Sequence, residues 1–228
     1  GIFGGSGSGK SFGLRVLLEE LMKKKIPTIV LDPHYEMEFG DSSNYDFKDK
    51  YNKFMVGRDI GVQFSEINGM ELKIMLSAVS DLTESMEATV DIIHRKGGTA
   101  EGLEALIDNL IEAIDLGRDS IQKEIEMASG EELSHYVHLE DLLNKYERKV
   151  NIMSLRGIGW RLKQLINQGI FNRNIDLLLN SLMEGKLVVV QGSTKLINTF
   201  STYLLNKTYR LRRDYKDSLS VGGNADYF

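Results

Sequence analysis

Residues Gly4 to Ser11 read GGSGSGKS, the spacing G-x-x-x-x-G-K-[ST] without a mismatch. A chain with this spacing runs from a strand into a glycine-rich turn and then a helix, because the turn has to offer successive backbone N–H groups to one anion. In that arrangement Gly5, Ser6, Gly7, Ser8, Gly9, Lys10, Ser11 and Phe12 surround the phosphates of a nucleotide, and the helix aims its positive N-terminus at them. Lys10 places an ammonium between the β- and γ-phosphates, and the Ser11 hydroxyl is a ligand for Mg²⁺. The flanks agree. Ile2-Phe3 is the stub of a strand, and Leu14, Leu17, Leu18 and Leu21 follow at i, i+3, i+4 and i+7, one face of a helix. ATP and Mg are the cofactors this pattern implies.

The spacing of apolar residues extends the reading. The first helix is expected over Lys10 to Lys25, with Lys23, Lys24 and Lys25 at its negative end and Pro27 closing it. Thr28 to Asp32 (TIVLD) is a buried strand of the parallel type, ended by Pro33. Strand, helix and strand make one βαβ unit. Short strands are expected at Lys53–Val56 and Gly61–Phe64. From Gly69 to Met183 the period is helical, with a clean stripe of Leu103, Leu106, Ile107, Leu110, Ile111 and Ile114. Residues 117 to 137 are polar and read as a weakly ordered stretch. Leu187 to Val190 is a second buried strand, and an amphipathic helix follows over about Lys195 to Asp214. The expected fold is α/β: a P-loop NTPase core of mostly parallel sheet flanked by helices, with a long helical insertion. The core is placed at about 1–68 and 184–228 and the insertion at about 69–183.

Composition removes several classes. The 28 basic and 33 acidic residues leave a formal net charge of -5, so no global positive field draws the chain to nucleic acid. Lys145, Arg148 and Lys149 form only a small basic cluster. There is no cysteine, which excludes disulfides and thiolate metal sites and fits the reducing cytoplasm. His135 and His138, at i and i+3 in a polar stretch, read as solvated rather than as metal ligands. No apolar run is long enough to span a bilayer.

The residues resemble one family in particular, the HerA/FtsK class of ATPases and specifically the HerA helicase central domain. The resemblance is carried by GGSGSGKS, by the helix SFGLRVLLEELMKKKIP, and by the strand end IVLDPHYEME (Ile29 to Glu38), where the family writes D-P-H-G-E-Y. SLRGIGWRLKQLI (Ser154 to Ile166) and EGKLVVVQGS (Glu184 to Ser193) are similar to the family's later helix and strand. The resemblance implies a RecA-like core, a homo-hexameric ring, ATP-driven movement along double-stranded DNA, and a nuclease partner. Tyr35 and Met37 depart from the family's Gly and Tyr, and Gln191 stands where the family often has Asp. The family's Walker B strand, ending in Asp-Glu, is expected beyond Phe228, so this chain reads as a partial ATPase domain, inactive in isolation.

Within the chain, Lys10 and Glu36 are the candidate catalytic residues. Asp32 lies 22 residues after Lys10, the spacing of the next strand rather than of a Walker B Asp, so it is expected to cap its strand and shape the edge of the site. His34 reads as a satisfied loop histidine, and Arg210, Arg212 and Arg213 as a solvated helix end. Four other readings compete: a P-loop ATPase that moves protein or serves conjugation or secretion, a small-molecule kinase with a helical lid, a GTPase, and a binding module without turnover. A GTPase needs N-K-x-D, and Asn206-Lys207-Thr208-Tyr209 lacks the Asp.

Overall fold

The computed structural model describes residues 9–40 and 45–220. The expected first strand at Ile2-Phe3 and the loop residues Gly4 to Ser8 lie outside them. The chain divides into two compact units, a sheet unit (Gly1–Val62 with Asn172–Phe228) and a helical unit (Gln63–Phe171).

In the sheet unit, helix α1 (Lys10–Lys23) leads into β1 (Thr28–Asp32), followed by β2 (Tyr51–Met55) and, much later in sequence, by helix α8 (Asp176–Met183), β3 (Leu187–Gln191) and helix α9 (Thr194–Ser220). The three strands are parallel in the order β1-β3-β2. Thr28 and Tyr51 both register with Leu187, and Asp32 and Met55 both register with Gln191. β3 is central, and its run Leu187-Val188-Val189-Val190 is fully buried. An uninterrupted apolar run is what a parallel strand covered on both faces requires. On one face, Leu18 and Met22 of α1 pack with Leu187, Val189, Met37, Phe39 and Phe47.

Four expectations change. α1 stops at Lys23 rather than Lys25, because Lys25 turns left-handed (φ 53). The Lys25 N–H then donates to the Met22 carbonyl at 3.0 Å and the Ile26 N–H to the Leu21 carbonyl at 3.0 Å. That pair of bonds is a Schellman closure, which satisfies the last carbonyls of the helix before Pro27 is reached. The strand expected over Gly61–Phe64 does not form: the Gly61 N–H bonds to the Asn174 carbonyl, and Phe64–Glu66 make a short 3-10 turn. The last helix continues to Ser220 instead of Asp214.

The fourth change lies in the helical unit, which comprises α2 (Gly69–Val79), α3 (Glu84–Ile93), α4 (Ala100–Leu116), α5 (Arg118–Met127), α6 (Gly130–Tyr146) and α7 (Ile152–Asn167). The polar stretch at 117–137 is helical. Few apolar residues suffice there, because Ile121 of α5 and Leu139 and Leu143 of α6 meet Ala113 of α4 in one buried cluster. Tertiary burial overrides a weak local signal. Glycines let α7 approach its neighbours: a Cβ at Gly159 would stand 3.1 Å from Ile107, and one at Gly157 would strike Met86. The buried Arg161 guanidinium donates to the carbonyls of Ser80 (2.9 Å), Asp81 (2.7 Å) and Gly157 (2.8 Å), which ties the end of α2 to α7.

Candidate nucleotide site

The site is assembled at the carboxyl ends of parallel strands, where α/β folds hold their ligands. α1 opens on Gly9, which is left-handed (φ 79, ψ 15) and has no atom within 4 Å of where a Cβ would stand. A side chain would be strained there and glycine is not. Lys10 is half-buried, Ser11 is exposed, and Phe12 is 72% exposed, so three of the residues singled out from sequence form the first turn of α1. Gly5, Ser6, Gly7 and Ser8 lie outside the described residues.

The start of α1 differs from every other described helix start. The first amides of a helix lack intrahelical acceptors and concentrate positive potential. Elsewhere the chain compensates. Side chains of Asn68, Thr83, Thr99 and Asn151 cap α2, α3, α4 and α7. Asp119, Glu131 and Asp176 lie in the first turns of α5, α6 and α8. The Ser193 hydroxyl accepts from the Leu196 N–H at the head of α9. α1 has neither a side-chain cap nor an acidic residue in its first turn, and it adds the Lys10 ammonium to that positive end. Among the described residues this is the one helix start that an anion from outside would complete.

Beside it stands the loop after β1. Asp32 is 4% exposed. Its Oδ1 accepts from the Glu36 N–H at 3.1 Å, and its Oδ2 accepts from the Met37 N–H at 3.0 Å and from Gln191 Nε2 at 3.0 Å. Burial pushes the Asp32 carboxyl up, but the bonds from Gln191 and from the Met37, Glu36 and His34 amides outweigh it and hold it below the ordinary carboxylate value. Asp32 is therefore an anion that folds its own loop, in keeping with a strand-end role. Sequence alone marked Gln191 only as a departure. Its function follows from register, since Gln191 lies opposite Asp32 across neighbouring strands, and an amide there donates where a second carboxylate would repel.

Arg15, one turn beyond Ser11 on the same face of α1, donates from Nη2 to the Glu36 carbonyl at 2.8 Å. Both backbone polar groups of Glu36 are thus engaged, its N–H by Asp32 and its carbonyl by Arg15, while its side chain is exposed. Tyr35 between them is left-handed (φ 59) and 49% exposed. This is the position at which the resemblance calls for glycine, and the backbone shows why: the turn keeps the glycine conformation although the residue has changed. Glu38 pairs with Lys53 of β2 at 2.7 Å, and the hydrogen bond from Lys53, then its charge, lower the Glu38 carboxyl.

Two other readings find a place. His135 meets the Glu112 carboxylate at 3.1 Å on an exposed surface. No group of three or more His, Asp or Glu side chains among the described residues could hold a metal ion. No described helix is long and apolar enough to cross a membrane.

A parallel sheet whose carboxyl edge adjoins a glycine-started, uncapped helix fits the core of a P-loop NTPase. The family model described as "Helicase HerA, central domain" matches residues 1–208. The chain belongs to that family, whose members are ATPase motors built on this core. No curated protein and no solved structure matches it.

Proposed function

We propose that this chain binds Mg-ATP through Gly5–Phe12 and contributes to its hydrolysis within a homo-hexameric, cytoplasmic motor that moves along double-stranded DNA. The observation that carries the ATP reading is the start of α1, which among the described residues has neither a side-chain cap nor an acidic residue in its first turn. Every other described helix has at least one of the two, and such breaks in local rules mark functional sites. A triphosphate would supply the missing negative charge, and Lys10 would neutralise its terminal oxygens. The exposed Ser11 hydroxyl suits one position on Mg²⁺, with the remaining ligands drawn from phosphate oxygens and water. Glu36 is our candidate for orienting water: Asp32 and Arg15 hold its backbone in the loop beside α1, and its carboxylate is exposed.

The DNA, ring and nuclease-partner readings come from family membership. The rival within the same fold is an ATPase that moves protein. The test is hydrolysis by the full-length parent with and without duplex DNA. DNA should stimulate turnover, with binding that weakens steeply as salt rises. Lys10→Ala should cut turnover roughly a hundredfold or more, the scale for removing one preorganised charge donor. Hydrolysis indifferent to DNA would favour the protein-moving reading.

A further inference from the structure

The loop after β1 is held from two sides. Asp32 ties it to its own strand, accepting from the Glu36 N–H at 3.1 Å and from the Met37 N–H at 3.0 Å. Arg15 ties it to α1, donating from Nη2 to the Glu36 carbonyl at 2.8 Å. The Glu38 N–H reaches the same carbonyl at 3.2 Å. The two anchors differ in what they join. Asp32 shapes the loop at the end of one strand. Arg15 connects it to the helix whose first turn is the proposed phosphate site. Arg15 lies four residues past Ser11, about 6 Å along the helix axis. Helical side chains lean toward the N-terminus of their helix, so Arg15 reaches back toward the phosphate end of α1 to meet Glu36.

Two observations set this arginine apart from a packing residue. Its Nε is buried and has no hydrogen-bond partner among the described residues. An aliphatic side chain of similar length would fill that space without an unmet N–H, and a buried donor left unmet is uncommon enough to need a reason. The guanidinium also takes the main-chain carbonyl of Glu36 and not its carboxylate. A guanidinium on the carboxylate would stabilise the charged form and weaken it as a proton acceptor. On the carbonyl it fixes the residue and leaves the Glu36 side chain exposed.

We infer that Arg15 is a positioning residue for ATP hydrolysis: it sets the Glu36 carboxylate at the phosphate end of α1 without neutralising it. In that reaction the water oxygen bonds to the γ-phosphorus, the bond to the bridging oxygen of ADP breaks, and ADP and phosphate leave. Glu36 accepts a hydrogen bond from the water, and Arg15 touches neither water nor nucleotide. The inference rests on the reading of Glu36 given above and adds the residue through which α1 acts on it.

The experiment is steady-state hydrolysis and Mg-ATP binding by the full-length parent and four variants. R15M keeps the length of the side chain without a donor, R15K keeps the charge and a donor, E36Q removes the carboxylate, and R15M/E36Q combines the two losses. Circular dichroism and thermal melts check that each variant folds. If R15M melts far below the wild type, R15Q makes the same comparison, its shorter amide falling short of the Glu36 carbonyl. R15M should lower kcat between roughly tenfold and a hundredfold, the scale for a displaced catalytic group, with KM and Kd for Mg-ATP unchanged. R15K should recover part of that loss. R15M/E36Q should be no slower than E36Q, because the two residues act as one unit. R15M that turns over like the wild type, that loses ATP affinity as much as kcat, or that slows E36Q by its full factor overturns the positioning role while leaving Glu36 its own. Full turnover by E36Q overturns the Glu36 reading and this inference with it.

Discussion

The helical unit obeys the local rules of its sequence and the sheet unit breaks them. Four of the six helices in the helical unit, those that start at Asn68, Thr83, Thr99 and Asn151, receive a side-chain cap. Its left-handed residues are glycines such as Gly97, Gly117 and Gly130. In the sheet unit α1 starts without cap or acid, and the left-handed residues that are not glycine among the described residues, Lys25 and Tyr35, stand on either side of β1. Left-handed backbone costs a residue with a Cβ on the order of 1–2 kcal/mol. Lys25 offsets that cost with the Schellman bonds that close α1, whereas Tyr35 bears it in the loop at the carboxyl end of β1, beside the candidate site.

The largest effect expected from this contrast comes at Asp32. Asp32→Ala leaves two loop amides and the Gln191 amide without their buried acceptor and should destabilise the sheet unit by roughly 2–4 kcal/mol. Urea denaturation would measure it. Thr99→Ala, which removes only an exposed cap in the helical unit, should cost about 1 kcal/mol in the same assay. Asp32 also carries a pH signature. Its folded pKa lies below the ordinary value of 3.8, so its contribution is complete above that value and is lost as pH falls through the lower, folded pKa. Wild type should lose stability below about pH 4, and Asp32→Asn should flatten that part of the acid-unfolding curve.

Phe12→Glu sharpens the comparison by giving α1 the first-turn carboxylate that α2, α3, α4, α5, α6 and α8 have. The side chain is exposed, and a carboxylate in the first turn should stabilise the helix by about 0.3–1 kcal/mol. The same carboxylate should weaken ATP binding about tenfold by repelling the phosphates. A gain in melting temperature without loss of nucleotide affinity would show that the uncapped start has no part in binding. The smallest effect is at Tyr35. Glycine relieves the left-handed strain but loses more chain entropy on folding, so Tyr35→Gly should gain roughly 0.5–1 kcal/mol, read as a small rise in melting temperature.

Much of this was legible in the residues. Gly9-Lys10-Ser11 fixed the start of α1 because the spacing has one structural use, and the runs at Thr28 and Leu187 marked β1 and β3 because parallel strands bury both faces. The helical stretch between them followed from its period. What sequence could not supply was pairing between distant positions. Gln191 gains its meaning only when register sets it against Asp32, and α5 forms only because Ile121 finds Ala113 and Leu139. The left-handed Lys25 was hidden for a different reason: lysine gives no signal of that conformation, and the Schellman bonds that enforce it are backbone bonds.

The central claim is that the first turn of α1 is completed by a nucleotide's phosphates. Hydrogen exchange of the backbone amides, measured with and without Mg-ATP, tests it at the residues concerned. The account predicts slower exchange at Lys10, Ser11 and Phe12 when Mg-ATP is added, and no such slowing in Lys10→Ala. Mg-ATP that binds while these amides exchange unchanged, or that protects them equally in Lys10→Ala, would contradict it.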